Sequence, residues 1–321
     1  MNQGLVSTIM PTFNHGAFIG DAIRSVLNQT YKNFELIIID NHSTDGTEQI
    51  VKSFKDEKIG YYKFSNRGII AASRNFGIQK AEGEFIAFLD SDDEWYKDKL
   101  KLQIDLLTEK PDVALCFCPF TIVSSDKEYD SKICSVQDKH LSEHAYEKMI
   151  NCNFIVCSSV VIRTTTLQEV GNFDESPALV GVEDFDLWLR ISRKSKVFHT
   201  PNVQGAYRWH STSYGRSVKS IERSLNVIHK HLSLGWISSQ KASRAKANFC
   251  FREGWVFINK DATLARSYFI KALEVCAGNF KIIFACSIGM FFSLFPALHR
   301  IIRDRHWDRQ IAQRYLNVQN L

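Results

Sequence analysis

Residues 85–93 read Phe-Ile-Ala-Phe-Leu-Asp-Ser-Asp-Asp, an apolar run that stops abruptly at three carboxylates. The apolar part predicts a buried strand, which places the acidic residues at its carboxyl end, where open α/β sheets bind their ligands. Side chains alternate along an extended backbone, so the carboxylates of Asp90 and Asp92 would point the same way. Two interpretations fit this cluster by itself. It is either a solvent-exposed acidic turn before a helix, or a site for a hard divalent cation shared with substrate phosphates.

Strand and helix patterns alternate along the first 120 residues. The predicted strands cover residues 6–10, 34–39, 59–64, 85–89 and 113–123, and the predicted helices cover residues 17–28, 47–54, 70–81 and 95–107. Such alternation is typical of an α/β protein with a mainly parallel sheet and helices on both faces. From about residue 217 onward the pattern becomes helical. The sequence therefore predicts an α/β domain at residues 1–216 and an all-helical extension at residues 217–321.

The charge of the chain is distributed unevenly. Its 321 residues carry a net charge of +5 and are 45% hydrophobic, a composition typical of globular proteins rather than disordered ones. Residues 1–204 contain 22 Lys and Arg against 29 Asp and Glu, whereas residues 205–321 contain 18 against 6. A basic segment is typical of proteins that bind nucleic acid or an anionic membrane surface. An uncharged run at residues 282–298 lies inside this basic part and favours the membrane over nucleic acid.

The run at residues 282–298 leaves three interpretations open. As a helix it would extend about 25 Å, against about 30 Å for the hydrocarbon core of a bilayer. It is therefore an interfacial helix, a packed core helix or a membrane-spanning helix. Beyond it, Arg300, Arg303, Arg305 and Arg309 would bind anionic lipid headgroups. The start of the chain shows no signal peptide, and the eight cysteines have no disulfide or zinc spacing. We therefore expect a cytoplasmic protein, peripheral or monotopic at the inner face of the cell membrane.

Polar residues also follow the first two predicted strands. The first strand ends in Pro11-Thr12-Phe13-Asn14, and the second ends in Asp40-Asn41. Arg67 and Arg74 lie further along the chain, and the rigid fork of donors of an arginine suits a diphosphate. The carboxyl ends of parallel strands lie at the same edge of a sheet. These residues and the acidic cluster therefore predict a site for a nucleoside diphosphate. A dinucleotide dehydrogenase and a P-loop enzyme are disfavoured, because neither glycine motif occurs.

Six segments then occur in a specific order. They are Pro11-Thr12-Phe13-Asn14, Asp40-Asn41-His42-Ser43-Thr44-Asp45-Gly46-Thr47, Ser73-Arg74-Asn75-Phe76-Gly77, Ala81-Glu82-Gly83-Glu84, Leu89-Asp90-Ser91-Asp92-Asp93 and Val182-Glu183-Asp184-Phe185-Asp186-Leu187-Trp188-Leu189-Arg190. In this combination the chain closely resembles the inverting family 2 glycosyltransferases of the GT-A fold, over about residues 4–215. The ordered set is specific, although no single segment is.

The resemblance implies a role for each candidate residue. Asp184 would be the catalytic base, on the face opposite the leaving diphosphate. The residues expected to bind the nucleotide or the substrate are Pro11, Thr12, Asn14, Asp40, Asn41, Arg67, Arg74, Asp90, Ser91 and Glu183. The residues expected at a Mn²⁺ or Mg²⁺ ion are Asp92, Asp93 and His210. Which of the two aspartates contacts the ion stays open. His210 is either directed at the metal or the diphosphate, or structural.

The resemblance also implies a reaction. We expect metal-dependent transfer of one sugar, with inversion, from a nucleotide-sugar to a hydroxyl of a glycan or lipid-linked acceptor in cell-surface polysaccharide synthesis. A UDP-sugar is the favoured donor, although Asn41 stands where the family often has aspartate. Processive synthases carry Gln-x-x-Arg-Trp, and the spacing from Gln204 to Arg208 is one residue too long for it. Two alternatives remain, a non-catalytic nucleotide-sugar-binding protein and a membrane-scaffold protein with a vestigial GT-A domain.

Overall fold

The computed structural model describes residues 1–124, 132–134, 141–209, 219–258, 261–276 and 280–294. The chain falls into two compact units. The first lies within Met1–Ala145 and Phe154–Arg216, and the second within Tyr146–Asn153 and Ser217–Leu321. The second unit thus includes a short segment from the middle of the chain. A division into domains after residue 216 remains a prediction.

The strands of the first unit form a seven-stranded sheet and a four-stranded sheet. Their bounds are β1 (Asn2–Thr12), β2 (Phe34–Asp40), β3 (Ile59–Lys63), β4 (Gly83–Phe88), β5 (Glu94–Trp95), β6 (Val113–Phe117), β7 (Phe120–Ser124), β8 (Lys132–Cys134), β9 (Val161–Arg163), β10 (Lys196–His199) and β11 (Gly205–Trp209). The strand order is β10-β6-β9-β4-β1-β2-β3 in the larger sheet and β5-β11-β7-β8 in the smaller one. All pairs in the larger sheet are parallel except those that β9 makes. The predicted mainly parallel α/β architecture is confirmed.

Helices of the first unit cover both faces of the larger sheet. The helix bounds are α1 (Ile19–Leu27), α2 (Thr47–Ser53), α3 (Ile70–Lys80), α4 (Lys99–Glu109), α5 (Leu141–Met149), α6 (Thr164–Val170), α7 (Glu183–Lys194), α8 (Lys219–Ser233), α9 (Ser239–Phe257), α10 (Ala262–Val275) and α11 (Phe280–Leu294). On β1, Val6 and Met10 join the apolar cluster that contains α1 and α4. Ile9 lies on the opposite face beside Gly77 of α3, where an added Cβ would come within 2.5 Å of it. Gly77 thus allows α3 to pack closely on the sheet.

Two predicted elements differ from the structure near the acidic cluster. The predicted strand at residues 113–123 is two strands, β6 and β7, which belong to different sheets. Pro119 lies between them, and a proline has no N–H to donate to a ladder. The predicted helix at residues 95–107 begins only at Lys99, because Glu94–Trp95 pairs with β11 as an edge strand.

The second unit confirms the predicted helical extension. Its helices α9, α10 and α11 pack around Phe269, and a Cβ added at Gly254 or Gly289 would come within 2.5 Å of that ring. The described part of the predicted apolar run belongs to α11, whereas residues 295–298 and the four arginines beyond them lie outside the described residues. Within the part of the chain that the structure describes, no helix is both long and apolar enough to cross a membrane.

Candidate functional site

The strand pairing brings three of the predicted segments to one edge of the larger sheet. Thr12 at the end of β1 lies beside Asp40 at the end of β2, and Ile9 lies beside Phe88 at the end of β4. Residues that follow these strands therefore emerge together at the carboxyl edge. This is the edge where parallel α/β sheets bind ligands.

Asp90–Asp93 form a tight turn, called the acidic turn below. The amide of Asp93 donates to the carbonyl of Asp90 at 3.0 Å. The extended backbone that we predicted from the alternation of side chains is therefore wrong for these four residues. Inside the turn, Ser91 is buried and its Oγ lies 2.8 Å from Nδ1 of His15, which ties the turn to the loop after β1.

Asp93 is engaged on both carboxylate oxygens. Its Oδ2 accepts from Ser158 Oγ at 2.5 Å, and its Oδ1 accepts from the amide of Arg208 at 2.9 Å. Burial, together with the charges of Asp92 and Asp90, raises the pKa of Asp93 well above its ordinary value. Asp93 is 1% exposed, whereas Asp92 is only partly buried. The buried side chain of Asp93 therefore holds the turn in place through its contacts with Ser158 and Arg208.

Arg74 joins the acidic turn to the start of α7. Its Nη2 donates to Asp90 Oδ1 at 2.7 Å and its Nη1 donates to Glu183 Oε1. The guanidinium lies 5.5 Å from the centre of the Phe173 ring, and the side chain is 3% exposed. Arg74 therefore bridges two carboxylates inside the protein. Arg67, the other predicted arginine, is exposed and has a left-handed backbone with φ of 51°.

Asp184 is the second residue of α7 and directly follows the bridged Glu183. It is partly exposed, and its Oδ1 accepts from the amide of Phe185 at 2.6 Å. Burial and the neighbouring charge of Glu183 raise the pKa of Asp184 to about 7, against the opposing effect of Arg74. A carboxylate with a pKa near neutral can take a proton in a reaction step more readily than an ordinary aspartate.

If Asp184 acts as a base, kcat/KM should fall as the pH drops below about 7, because only the deprotonated carboxylate can accept a proton. The expected decline is about tenfold per pH unit on the acid side, with a plateau above. Initial rates between pH 5.5 and 8.5 would measure it. A profile that stays flat down to pH 5.5 would exclude Asp184 as the titrating base.

Asp40 is buried within the site rather than presented at its surface. It is 0% exposed, and its Oδ1 accepts from the amide of Ser43 at 2.8 Å and from Ser43 Oγ at 2.6 Å. The hydroxyl of Tyr61 donates to its other oxygen. In this structure Asp40 therefore shapes the loop after β2, and its predicted contact with a nucleoside stays a prediction.

Asn14 and Asn41 tie neighbouring loops together at the edge. The amide of Asn14 donates to Ser43 Oγ at 2.8 Å, and Asn14 Oδ1 accepts from the amide of Thr44 at 2.8 Å. Asn14 reaches these partners from a left-handed backbone with φ of 53°. Asn41 Oδ1 accepts from the amide of Asn66 at 3.0 Å. The loops after β1, β2 and β3 thus form one connected wall.

The end of β1 contributes a buried hydroxyl and an exposed ring. Pro11 pairs with Ile39 in the sheet and is buried. Thr12 is 5% exposed, and its Oγ1 has no hydrogen-bond partner among the described residues. Phe13 follows with 53% of its surface exposed. A buried hydroxyl without a partner and an exposed aromatic ring are both unfavourable in isolation and suit a ligand that covers them.

Sequence reasoning missed Ser158, Arg208 and Phe13 as site residues. Ser158 Oγ accepts from the amide of Asp90 at 3.1 Å, and Arg208 Nε donates to the carbonyl of Asp92 at 3.0 Å. Both residues hold the acidic turn from distant parts of the chain, and neither stands in a motif that marks this contact. Phe13 stood in a recognised segment but was given no role.

The donor set at the acidic turn fits a hard cation that is shared with a ligand. Among the described residues no three His, Cys, Asp or Glu side chains form a cluster that would hold a metal ion alone. Asp90, with 26% of its side chain exposed, uses one carboxylate oxygen for Arg74. Mg²⁺ is commonly held by one or two carboxylates together with substrate phosphates, so two aspartates at an open edge suffice. His210 lies outside the described residues.

Comparison of the whole fold places the chain in a class. A mannosyltransferase from Pyrobaculum calidifontis, solved in complex with GDP-Man and Mn²⁺, superposes with a TM-score of 0.61 at 18% identity, over 98% of this chain and 85% of that one. The fold is that of the GT-A glycosyltransferases. The family model "Glycosyl transferase family 2" matches residues 7–171. The chain therefore belongs to glycosyltransferase family 2.

Two curated relatives match 61% and 70% of the chain. An uncharacterized glycosyltransferase of Rickettsia conorii is 36% identical over 200 residues, which are 61% of this chain and 32% of that protein. The chain thus spans about a third of that relative's length. The Escherichia coli protein WfaP, named a UDP-Glc:alpha-D-GlcNAc-diphosphoundecaprenol beta-1,3-glucosyltransferase, is 35% identical over 227 residues, which are 70% of this chain and 85% of WfaP.

Proposed function

We propose that the protein transfers one sugar from a nucleoside-diphosphate sugar, with inversion, to a hydroxyl of a glycan or lipid-linked acceptor. The observation that carries the proposal is the buried bridge from Asp90 through Arg74 to Glu183. It fixes the acidic turn and the start of α7 at the same edge of the sheet. A donor diphosphate at the turn would then have Asp184 near its sugar.

The transfer needs one proton acceptor and one leaving group. The acceptor hydroxyl oxygen forms a bond to the anomeric carbon, while the bond from that carbon to the diphosphate oxygen breaks. Asp184 takes the hydroxyl proton and later loses it to solvent, which its pKa of about 7 permits at neutral pH. Attack from the side opposite the diphosphate inverts the configuration at the carbon.

We expect a Mn²⁺ or Mg²⁺ ion to be held by Asp92, with Asp90 beside it. Asp93 is the weaker candidate for a direct ligand, because both of its oxygens already accept from protein donors. When bound, the ion neutralises the charge that develops on the leaving diphosphate. Arg67 is exposed and is the candidate to bind the diphosphate directly. Arg74 is buried and acts indirectly, by holding Asp90 and Glu183 in place.

The nucleoside would lie between the loops after β1 and β2. The unpartnered Thr12 Oγ1 and the side chain of Asn41 offer polar contacts to a base, and the exposed ring of Phe13 offers a stacking surface. WfaP is named for UDP-Glc and a diphosphoundecaprenol-linked acceptor. We therefore expect a UDP-sugar donor, a lipid-linked acceptor and a role in polysaccharide biosynthesis.

A donor screen tests this proposal directly. Purified protein incubated with Mn²⁺ and individual UDP-, GDP- and TDP-sugars should release the nucleoside diphosphate fastest from a UDP-sugar. Isothermal titration with UDP, with and without Mn²⁺, should show metal-dependent binding. The proposal would be refuted by a protein that neither binds nor turns over any of these donors in the presence of Mn²⁺ or Mg²⁺.

Asp92→Ala should raise the concentration of divalent ion that nucleotide binding requires. The variant loses one of the few protein carboxylates available to the ion, because the remaining ligands come from the diphosphate and from water. Titration of Mn²⁺ at fixed UDP would measure the change, and we expect at least a tenfold higher half-saturating concentration. Asp105→Ala on α4, which removes an exposed carboxylate paired with Lys101, is the matched control. A wild-type titration in Asp92→Ala would defeat the metal assignment.

We further propose that the basic second unit binds an anionic membrane surface. Large apolar side chains on three of its helices are about half exposed, namely Val256, Ile270, Phe291 and Leu294. Basic residues near a membrane surface contribute roughly 1 kcal/mol each.

Replacing Arg300, Arg303, Arg305 and Arg309 by Gln in the full chain should therefore weaken binding to phosphatidylglycerol vesicles at least tenfold. Sedimentation with these vesicles and with phosphatidylcholine vesicles measures it. A control that removes four exposed charges from the first unit, Arg24, Lys52, Lys101 and Lys196, should keep its binding. Equal losses in the two variants would show that only net charge matters.

A further inference from the structure

Three consecutive carbonyl oxygens behind the acidic turn accept hydrogen bonds from side chains spaced four residues apart. Trp95 Nε1 donates to the carbonyl of Ser158 at 2.7 Å, Gln103 Nε2 to the next carbonyl at 2.9 Å, and Lys99 Nζ to the third, of Val160, at 3.2 Å. We call these three side chains the donor row. Lys99 and Gln103 share one side of α4, because side chains four apart on a helix lie above one another. Trp95 belongs to β5, and its ring lies beside Lys99.

The donor row is buried, and it includes a charge without a carboxylate partner. Trp95 is 4% exposed, and Lys99 and Gln103 are 0% exposed. The ammonium of Lys99 lies 3.8 Å from the centre of the Trp95 ring and forms no ion pair with a described carboxylate. Burial lowers the pKa of Lys99 to about 8. A buried ammonium whose contacts among the described residues are a carbonyl and a ring is costly for stability, and such costs concentrate at functional sites.

Ser158 connects the donor row to the acidic turn. Its carbonyl is held by Trp95, while its hydroxyl donates to Asp93 Oδ2 at 2.5 Å and accepts from the amide of Asp90 at 3.1 Å. Ser158 thus contacts the donor row through its backbone carbonyl and the acidic turn through its side chain. A shift of the backbone at Ser158 would move both ends of the turn.

We propose that Trp95, Lys99 and Gln103 are positioning residues for the donor site. By fixing the backbone at residues 158–160 they hold Ser158 against Asp90 and Asp93, and so they set the geometry in which the acidic turn meets a metal-bound diphosphate. The proposal rests on the proposed role of the turn in donor binding. Groups that orient metal-site carboxylates commonly affect metal affinity or activity by about 10- to 100-fold.

A double-mutant cycle tests whether the row acts through Ser158. Trp95→Phe keeps a ring beside Lys99 but removes the N–H donor, and Ser158→Ala removes the link to the turn. Each single variant should weaken Mn²⁺-dependent UDP binding at least tenfold. The double variant should bind no more weakly than Ser158→Ala, because the second change has nothing left to act through. Multiplied losses in the double variant would overturn the proposal.

Hydrogen exchange of the turn tests the same inference without a ligand. The amides of Asp90 and Asp93 are hydrogen-bonded, so their exchange reports directly on the turn. Trp95→Phe should speed exchange of a peptide spanning residues 89–94 at least tenfold and leave peptides of β2 and β3 unchanged. Lys99→Met should do the same, and Lys101→Met on the exposed side of α4 should not. An unchanged peptide 89–94, or equal acceleration in every strand, would contradict positioning.

The two readouts separate the inference from the proposed function. Should the wild-type protein show no Mn²⁺-dependent UDP binding, the donor and metal assignments fail. The exchange measurement would then still decide whether the donor row holds the turn. Conversely, normal UDP binding with an unaffected turn in Trp95→Phe would remove the row from the site and leave the proposed function intact.

Discussion

Asp184→Asn should slow sugar transfer by about 100- to 10,000-fold while donor binding stays close to that of the wild type. The amide keeps the size of the side chain but cannot take the proton from an acceptor hydroxyl. Donor binding should persist, because the acidic turn and the loops after β1 and β2 are untouched. Transfer rates with a UDP-sugar at pH 8, where the wild-type carboxylate is mostly deprotonated, measure the effect.

Asp184→Asn also removes a negative charge, so a variant that loses a carboxylate elsewhere in the first unit serves as its control. Glu169→Gln in α6 removes an exposed carboxylate from the same unit and should leave turnover unchanged. The pH dependence below 7 should also disappear in Asp184→Asn, because the titrating base is gone. Unchanged turnover would take Asp184 out of the mechanism. A wild-type protein that binds donors but transfers to no acceptor would favour the alternative of a non-catalytic binding protein.

Local patterns were sufficient to predict part of the larger sheet, although they did not predict β9 and β10. The strands at residues 34–39 and 59–64 and the helices at residues 47–54 and 70–81 appear in the structure within one or two residues. These elements have regular apolar spacing and clear ends, so tertiary contacts do not change them. The helix predicted from residue 95 was displaced because its first residues pair with β11, which lies more than a hundred residues away in sequence. Single-sequence patterns cannot contain that pairing.

The roles of the charged residues were harder to predict than their location. An arginine near a phosphate site is expected to face the ligand, yet Arg74 meets Asp90 and Glu183, which lie 16 and 109 residues away. Likewise, no sequence pattern distinguishes the role of Asp92 from that of Asp93. The structure distinguishes them because Ser158 and Arg208 occupy both oxygens of Asp93. Contacts between distant segments decide which carboxylate is left at the open edge.

Arg74→Met should destabilise the first unit by about 3–5 kcal/mol, because it leaves a buried carboxylate without its partner. Glu183 is 2% exposed and cannot recover its hydration without opening the start of α7. Urea unfolding followed by near-UV circular dichroism would measure the loss. Arg24→Met, which breaks an exposed pair with Asp21 on α1, is the matched control and should cost less than about 1 kcal/mol. A loss in Arg74→Met as small as that in the control would show that the bridge contributes little.

A second change separates stability from function at the same bridge. In Arg74→Met combined with Glu183→Gln, the buried charge is removed together with its partner, so a large part of the stability should return. Sugar transfer should remain at least about 100-fold below that of the wild type, because Asp90 and the start of α7 are no longer joined and Asp184 loses its fixed position relative to the donor. If transfer recovered along with stability, the bridge would be only structural. If neither recovered, the loss would lie in packing against Phe173 rather than in charge.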